Sequence, residues 1–152
     1  MRFIADFHIH SHYSRATSKQ LTPEFLEYWA KIKGIDVVGT GDVLHPGWLS
    51  ELKEKLEPAN NGLFRLKREY AVKMPRSQFP RVVDQDVFFI LTTEISNIYK
   101  KSGKVRKVHN VCVFPDFDAV EKYQKKLSKI GNLVSDGRPI LGLDAKKLLE
   151  ML

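Results

Sequence analysis

The chain has 152 residues, of which 43% are hydrophobic and 28% charged, values typical of one globular domain with a packed core. It contains no run of 18 apolar residues, which excludes a membrane-spanning helix. Its single cysteine, Cys112, excludes a disulfide framework or a thiolate zinc site within one chain. We therefore expect a cytoplasmic protein in which residues 1–152 form a single domain.

The formal net charge of +7 is concentrated in one part of the sequence. Between Pro58 and Val108 there are eleven Lys or Arg and four Asp or Glu, whereas the remaining 101 residues contain fourteen of each. A localised excess of this kind is typical of a surface that binds anions such as nucleic acid. The alternative interpretation is a solvated basic surface without a partner.

The first predicted elements form a parallel βαβ unit. Residues 3–7 have the pattern of a short buried strand. Thr22 and Pro23 indicate the start of a helix, and Gly34 indicates its end. Residues 35–40 are a second apolar strand. Because the links are short, we expect the two strands to lie parallel in one sheet.

The later elements are less regular, because residues 58–87 form a basic insertion interrupted by prolines. The predicted elements are a helix over 47–56, strands over 63–72 and 88–92, a hairpin of strands 95–99 and 105–114, and helices over 120–130 and 144–152. The last helix has an N-cap residue but no stop signal. We favour a fragment of a longer chain over a docked terminal helix.

Alternating polar residues follow the first strand. Asp6, His8, His10 and His12 occur at every second position, and alternate side chains of a strand share a face. Neutral imidazoles suit Zn, Mn or Fe, and neighbouring carboxylates orient them. Without further ligands, the alternative is one histidine packed in the core and the others solvated.

Three further segments place metal-ligand side chains at strand ends. Asp42 and His45 follow the second strand, Glu94 follows the strand over 88–92, and His109 lies near the start of another. Polar residues at the ends of successive strands are typical of a barrel active site. The sequence therefore predicts that these side chains converge.

The combination of these segments resembles the PHP (polymerase and histidinol phosphatase) family. The matching segments are Phe-His-Ile-His-Ser at 7–11 with Leu-Thr-Pro-Glu at 21–24, the run ending in Thr-Gly-Asp at 34–42, Thr-Glu-Ile-Ser at 93–96 and Val-His-Asn at 108–110. Within that family, residues 40–48 and 93–99 are most similar to the endonuclease Q group of archaeal and bacterial DNA repair nucleases.

That resemblance implies an α/β fold, a partial distorted (β/α)7 barrel with an inserted hairpin, and divalent metal ions at the C-terminal ends of the strands. Zn is the first candidate, with Mn, Fe or Mg as alternatives. The implied reaction is hydrolysis of a DNA phosphodiester on the 5′ side of deaminated bases such as hypoxanthine and uracil. The implied metal ligands are His8, His10, Asp42, Glu94 and His109, with Asp42 and Glu94 catalytic and Asp6, His12 and His45 as further ligands or residues that orient them.

Three departures from the family pattern accompany these matches. The usual Thr-Asp-His is replaced by Thr40-Gly41-Asp42, so that Asp42, in preference to His45, takes the place of that motif. The usual Asp-Gly after the first motif is Arg-Ala at 15–16, so the resemblance leaves a third metal position open. The family's later histidine and its Asp-x-His motif are absent. We therefore expect weak metal binding and little or no turnover.

The basic segment supplies the predicted DNA contacts. The candidate residues are Arg65, Lys67, Arg68, Lys73, Arg76 and Arg81 in the insertion, and Lys100, Lys101, Lys104, Arg106 and Lys107 in the hairpin. Phosphate contacts of this kind bind DNA with a strong salt dependence and little sequence preference. Tyr70, Phe79 and Tyr99 lie among these cations and either stack on an unpaired base or belong to the core.

Two other functions fit the same sequence. The first is a small-molecule phosphomonoesterase of the histidinol phosphatase type, although a monoester needs fewer cations than this chain offers. The second is a non-catalytic module that binds DNA or a protein partner. A partial barrel also exposes strand edges and apolar faces, from which we expect a homo-oligomer.

Overall fold

A computed structural model describes residues 2–75, 77 and 85–151, and these form a mixed α/β fold. The elements are β1 (Ala5–Asp6), α1 (Pro23–Lys33), β2 (Val37–Gly39), α2 (Pro46–Lys55), β3 (Leu56–Pro58), β4 (Phe64–Leu66), a 3-10 turn (Arg68–Tyr70), β5 (Phe88–Lys101), β6 (Lys104–Phe114), α3 (Phe117–Leu127), β7 (Ile140–Leu141) and α4 (Ala145–Glu150). None of the helices in these ranges is long and apolar enough to cross a bilayer.

The sheet is built around β5. Its strand order is β1-β2-β5-β4-β3, and β6 and β7 also pair with β5. The pairs β1–β2, β2–β5 and β5–β7 are parallel, as the predicted βαβ unit requires, whereas β3, β4 and β6 lie antiparallel to their partners. Within the described residues the sheet is open, because β1 pairs with β2 alone. The closed barrel of the resembled family is not formed by this part of the chain.

β5 is one continuous strand of 14 residues, where two separate strands over 88–92 and 95–99 were predicted. Thr93 and Glu94 suggested a break, but both are buried in the ladder with β6. The predicted hairpin is confirmed: Ser102 and Gly103 form its turn, with φ values of 51° and 72°. A turn with two residues of positive φ has a backbone twist that matches the right-handed twist of the strands it joins.

The helix starts follow their local signals. α1 begins at Pro23 and ends before Gly34, which has a φ of 69° and whose N–H donates to the carbonyls of Ala30 and Lys31. α3 begins at Phe117, before the predicted 120, because the Asp116 side chain accepts a hydrogen bond from the N–H of Ala119.

Two weakly patterned regions differ from the prediction. The strand expected over 63–72 is restricted to β4, and a 3-10 turn follows it. β7 was not predicted, because a two-residue strand has no periodicity. Both differences arise where pairing with β5 decides the backbone conformation.

The core connects the sheet to α2 and α3. Its largest fully buried side chains include Trp48 and Leu52 of α2, Phe89 and Ile95 of β5, and Leu127 of α3. Burial of each such side chain contributes roughly 1.5–3 kcal/mol. The indole N–H of Trp48 also donates to the carbonyl groups of residues 40 and 41. These hydrogen bonds attach the turn that follows β2 to helix α2.

Candidate metal centre

The turn after β2 brings Asp42 against the loop that follows β1. Gly41 and Asp42 have φ values of 59° and 49°. A Cβ on Gly41 would lie 2.3 Å from the carbonyl oxygen of Ile9, so only glycine fits there. This close approach explains why a glycine occupies the middle position of the Thr-Gly-Asp segment.

Asp42 is fully buried, and its carboxylate accepts several hydrogen bonds. Its Oδ2 accepts hydrogen bonds from the N–H and hydroxyl of Ser11, at 2.6 and 2.8 Å, and from the hydroxyl of Ser14 at 2.8 Å. Its Oδ1 lies 3.0 Å from Nδ1 of His10. Burial raises the pKa of Asp42, but the hydrogen bonds from His10, Ser11 and Ser14 outweigh burial and lower it. Asp42 therefore remains ionised and accepts the Nδ1–H of His10.

Glu94 of β5 is the centre of a cluster that it forms with His8, His10 and His109. Its Oε2 lies 3.0 Å from Nε2 of His8 and 3.1 Å from Nε2 of His10. Its Oε1 contacts Nδ1 of His109, yet this buried oxygen has no hydrogen bond with the described residues. Burial raises the pKa of Glu94, whereas the hydrogen bond with His8 and the charges of His109 and Arg138 bring it below its usual value.

The side chains present fit a divalent metal ion. The ligand atoms of His8, His10 and Glu94 all lie within 4.8 Å of one another. Because Nδ1 of His10 donates to Asp42, its Nε2 directs a lone pair towards Oε2 of Glu94, and two lone pairs at 3.1 Å need a proton or a cation between them. The hydrogen bond to Asp42 raises the pKa of His10, against the effect of burial. Imidazole nitrogen and carboxylate oxygen are typical zinc ligands.

The other predicted ligands have different positions. His109 of β6 contacts the second oxygen of Glu94 and is half exposed. The Asp6 carboxylate accepts a hydrogen bond from the backbone N–H of His8 at 3.2 Å and thereby orients that loop. His12 is outside the cluster, since its Nε2 lies 2.8 Å from a carboxylate oxygen of Glu51.

The structure places His45 at the start of α2, outside the group formed by His8, His10 and Glu94. His45 is the N-cap of α2, and its Nδ1 accepts the N–H of Trp48 at 3.4 Å. Its Nε2 consequently carries the proton and donates to the carbonyl of Val134 at 3.0 Å. Both ring nitrogens of His45 therefore have partners within the protein, and His45 links α2 to the segment that contains Val134.

Sequence reasoning missed two features of the cluster. Ser11 and Ser14 hold Asp42, and the guanidinium of Arg138 lies 3.7 Å from Oε2 of Glu94. Arg138 precedes β7, far from the histidines along the chain. The Asp-Gly pair at 136–137 marks a turn, but no local pattern relates it to Glu94.

The predicted DNA-binding cations fall into two groups. In the insertion, Arg65 pairs with Glu57 at 2.7 Å, and Lys67 donates to the carbonyl of Glu54. Arg76 and Arg81, with the aromatic Phe79, lie outside the described residues. The five hairpin cations are all exposed. The aromatic ring of Tyr70 is not at the cluster, since its hydroxyl donates to Glu54 at 3.1 Å.

The hairpin register divides its cations between two faces. Ser96 pairs with His109, the next pair on the same face includes Lys107, and the following one includes Lys100. Directly opposed residues of an antiparallel ladder point to the same side, as do alternate residues of a strand. Lys100 and Lys107 therefore share the face of Glu94 and His109. The opposite face contains Tyr99, Lys101, Lys104 and Arg106.

Comparison with known proteins shows similarity to a lesion-specific endonuclease. The lesion-specific endonuclease PfuEndoQ from Pyrococcus furiosus matches with 34% sequence identity and a TM-score of 0.75, over 98% of this chain and 31% of that chain. Endonuclease Q in complex with a 27-mer duplex substrate that has an abasic lesion at the active site matches with 35% identity and a TM-score of 0.76, over 98% and 32%.

No protein-family model matches this chain. A longer archaeal protein is also similar to it. An uncharacterized protein of Methanocaldococcus jannaschii is 29% identical over 147 residues, which are 96% of this chain and 14% of that protein. The chain thus spans about a third of the length of the solved endonuclease Q structures and about a seventh of the archaeal relative.

Proposed function

We propose that this chain provides a divalent metal centre for hydrolysis of phosphodiester bonds in damaged DNA, as part of an endonuclease Q-like repair activity. One observation carries the proposal: the buried Glu94 carboxylate faces ring nitrogens of His8, His10 and His109. The similarity to a lesion-specific endonuclease over nearly the whole chain supports the choice of DNA. The finer proposal is nicking on the 5′ side of deaminated bases such as hypoxanthine and uracil.

Each residue of the cluster has a part in this proposal. His8, His10 and Glu94 would hold the ion, and His109, which contacts the other oxygen of Glu94, would be a further ligand. Asp42 keeps the proton of His10 on Nδ1 and fixes the ring, so that Nε2 is free for the metal. A bound divalent ion, with zinc as the first choice, polarises the phosphate and lowers the pKa of a water molecule.

The basic hairpin supports a nucleic-acid substrate. Lys100 and Lys107 share the face of Glu94, so a DNA strand that lies along this face of the hairpin would meet these two ammonium groups. Such contacts bind the phosphate backbone without reading sequence. Tyr99 lies on the opposite face of the hairpin, which argues against its stacking on a base held at the metal centre.

Metal content and nicking together test the proposal. We expect the parent to bind Zn²⁺ or Mn²⁺ and Glu94→Gln to lose most of this binding, while Glu57→Gln, the same change at a surface ion pair, binds as the parent does. Nicking is measured on labelled duplexes that contain hypoxanthine, uracil or an abasic site, and on an undamaged duplex. A parent that binds no divalent ion would contradict the metal centre. Faster hydrolysis of p-nitrophenyl phosphate than of any duplex would favour the phosphomonoesterase.

A further inference from the structure

The loop over residues 132–139 between α3 and β7 has a defined conformation next to the metal centre. The side-chain oxygen of Asn132 accepts hydrogen bonds from the N–H groups of Val134 and Ser135. The carboxylate of Asp136 accepts the N–H of Arg138 at 3.1 Å. Such local hydrogen bonds fix the turn.

The same loop is attached to the segments that carry the cluster. The N–H of Gly137 donates to the carbonyl of Tyr13 at 3.2 Å, and a Cβ on Gly137 would lie 2.3 Å from Oδ2 of Asp42. On the other side of Arg138, the carbonyl of Pro139 accepts the N–H of Ser96 at 2.9 Å. Arg138 is therefore fixed between a contact with Asp42 and a contact with β5, two residues beyond Glu94.

The guanidinium of Arg138 has unused hydrogen-bonding capacity. Its nearest ion-pair partner is Oε2 of Glu94 at 3.7 Å, which is too long for a hydrogen bond. It makes no side-chain hydrogen bond within residues 2–75, 77 and 85–151, and 40% of the side chain is exposed. No other Lys or Arg of these residues reaches Glu94 at ion-pair distance. His8 and His109 are also about half exposed, so the cluster and Arg138 are both accessible to a ligand.

We propose that Arg138 is the oxyanion-binding residue of this site and contacts a non-bridging oxygen of a phosphodiester next to the metal ligands. This inference rests on the proposed function. Charge supports it: one divalent ion balances the carboxylates of Asp42 and Glu94, and an incoming phosphodiester adds one negative charge that Arg138 neutralises. The planar guanidinium fork also matches phosphate geometry.

The test measures phosphate binding and metal binding separately. Dimethyl phosphate, a phosphodiester with a single negative charge, is titrated against the Mn²⁺-loaded and the metal-free protein by ³¹P NMR, and free Mn²⁺ is measured by electron paramagnetic resonance. The variants are Arg138→Gln and Arg138→Lys. Arg15→Gln is the matched control, since Arg15 is exposed and pairs at 3.8 Å with Asp136 of the same loop.

We expect Arg138→Gln to weaken dimethyl phosphate binding roughly tenfold or more, the scale of one lost charge-assisted hydrogen bond. Arg138→Lys keeps part of the affinity, because the charge remains and the fork is lost. Arg15→Gln stays within about twofold of the parent, since Arg15 is exposed and does not reach Glu94 at ion-pair distance. Mn²⁺ affinity is unchanged or higher in Arg138→Gln, because a neighbouring positive charge is removed.

Four outcomes would overturn the assignment of Arg138. They are equal phosphate binding by the parent and Arg138→Gln, an equal loss in Arg15→Gln, a loss of Mn²⁺ affinity that accounts for the phosphate effect, and no phosphate binding by the parent. If the parent binds no Mn²⁺, the metal proposal fails. The metal-free titration then decides the subsite, which stands only if Arg138→Gln loses affinity there.

Discussion

Gly41 sets the distance between the two segments that form the metal centre. Its φ of 59° favours glycine, and the backbone of Ile9 excludes any other residue, because its carbonyl oxygen would lie only 2.3 Å from a Cβ at this position. The approach keeps Asp42 within hydrogen-bond reach of His10, whose ring faces Glu94. A single backbone position thus supports the orientation of a ligand on another loop.

Replacement of this glycine is the first prediction. We expect Gly41→Ala to lower the free energy of unfolding by about 2–4 kcal/mol, because strain from the positive φ adds to a steric clash. Gly103→Ala is the matched control, since Gly103 has a φ of 72° but nothing within 4 Å of a Cβ, and should cost about 1 kcal/mol. Urea unfolding measures both. Equal losses in the two variants would mean that the contact with Ile9 carries no cost.

Side chains that follow apolar runs of the sequence were predictable, and those fixed by loop packing were not. Alternation along the chain predicted that His8 and His10 share a face, and the end of an apolar run pointed to Glu94. Arg138 joins the cluster through contacts with residues distant in sequence, which no local pattern records. The position of His45 as the N-cap of α2 was not predicted, because a helix N-cap and a metal ligand can use the same side chain.

At the scale of secondary structure, an ion pair connects α1 to α2. Nζ of Lys55 lies 2.6 Å from a carboxylate oxygen of Glu24 and 2.8 Å from one of Glu51. Burial raises the pKa of Glu24, but the hydrogen bond from Lys55 and further donors outweigh it, and the net shift is below the usual 4.5. A lowered folded-state pKa means that the ionised Glu24 stabilises the fold.

The second prediction follows from the sign of that shift. The stabilisation is fully present above the unfolded-state pKa of 4.5 and is lost as pH falls through the lower folded-state pKa. We expect Glu24→Gln to cost about 1 kcal/mol at neutral pH, and the gap to the parent to shrink below about pH 4.5. Urea unfolding at several pH values measures this gap. Glu57→Gln, which removes an exposed ion pair with Arg65, should cost little at any pH. A gap that widens in acid would contradict the assignment.

The third prediction concerns the two faces of the β5–β6 hairpin. Lys100→Ala with Lys107→Ala removes two cations from the face of Glu94, whereas Lys101→Ala with Lys104→Ala removes two from the opposite face. Each phosphate contact contributes a slope of about −0.9 to log K against log salt. We therefore expect the first pair to flatten the slope by up to about 2 and the second pair to change it little, as measured by fluorescence anisotropy of labelled duplex DNA.

A third variant separates the hairpin from the metal centre in the same titration. His8→Ala should leave the salt slope nearly unchanged, because an imidazole at the metal site contributes no phosphate ion pair. Equal slopes for the two lysine pairs would mean that the face does not decide contact. Loss of binding in His8→Ala alone would mean that DNA is held by the metal ions.

Elements with strong local signals were predicted with nearly correct bounds, and those set by the sheet were not. Pro23 and Gly34 determine the ends of α1, because proline suits the first position of a helix and the positive φ of Gly34 ends it. The length of β5 depends on its pairing with neighbouring strands, which buries Thr93 and Glu94 inside the ladder. β7 is a strand only because Ser96 and Asn97 provide partners for it.

At the scale of the whole molecule, the open edge of the sheet is apolar. β1 pairs with β2 alone in the described part of the chain, and Phe3, Ile4 and Phe7 on either side of it are 62%, 61% and 42% exposed. A cavity of about 720 Å³ lies beside them and includes Phe88 in its lining. Clustered exposed apolar side chains at an unpaired strand edge favour association with another copy of the chain.

The last prediction is that this edge drives self-association. Phe3→Ser with Phe7→Ser should shift the protein towards monomer, because each buried Phe contributes roughly 1.5–3 kcal/mol to an interface that covers it. Trp29→Ser with Ile130→Ser is the control, since both residues are exposed apolar side chains that belong to other elements, Trp29 to α1 and Ile130 to the segment after α3. Light scattering coupled to size-exclusion chromatography, over a wide range of protein concentration, gives the mass of each variant. A parent that remains monomeric at the highest concentration would contradict association. An equal shift in the control pair would place the interface elsewhere on the surface.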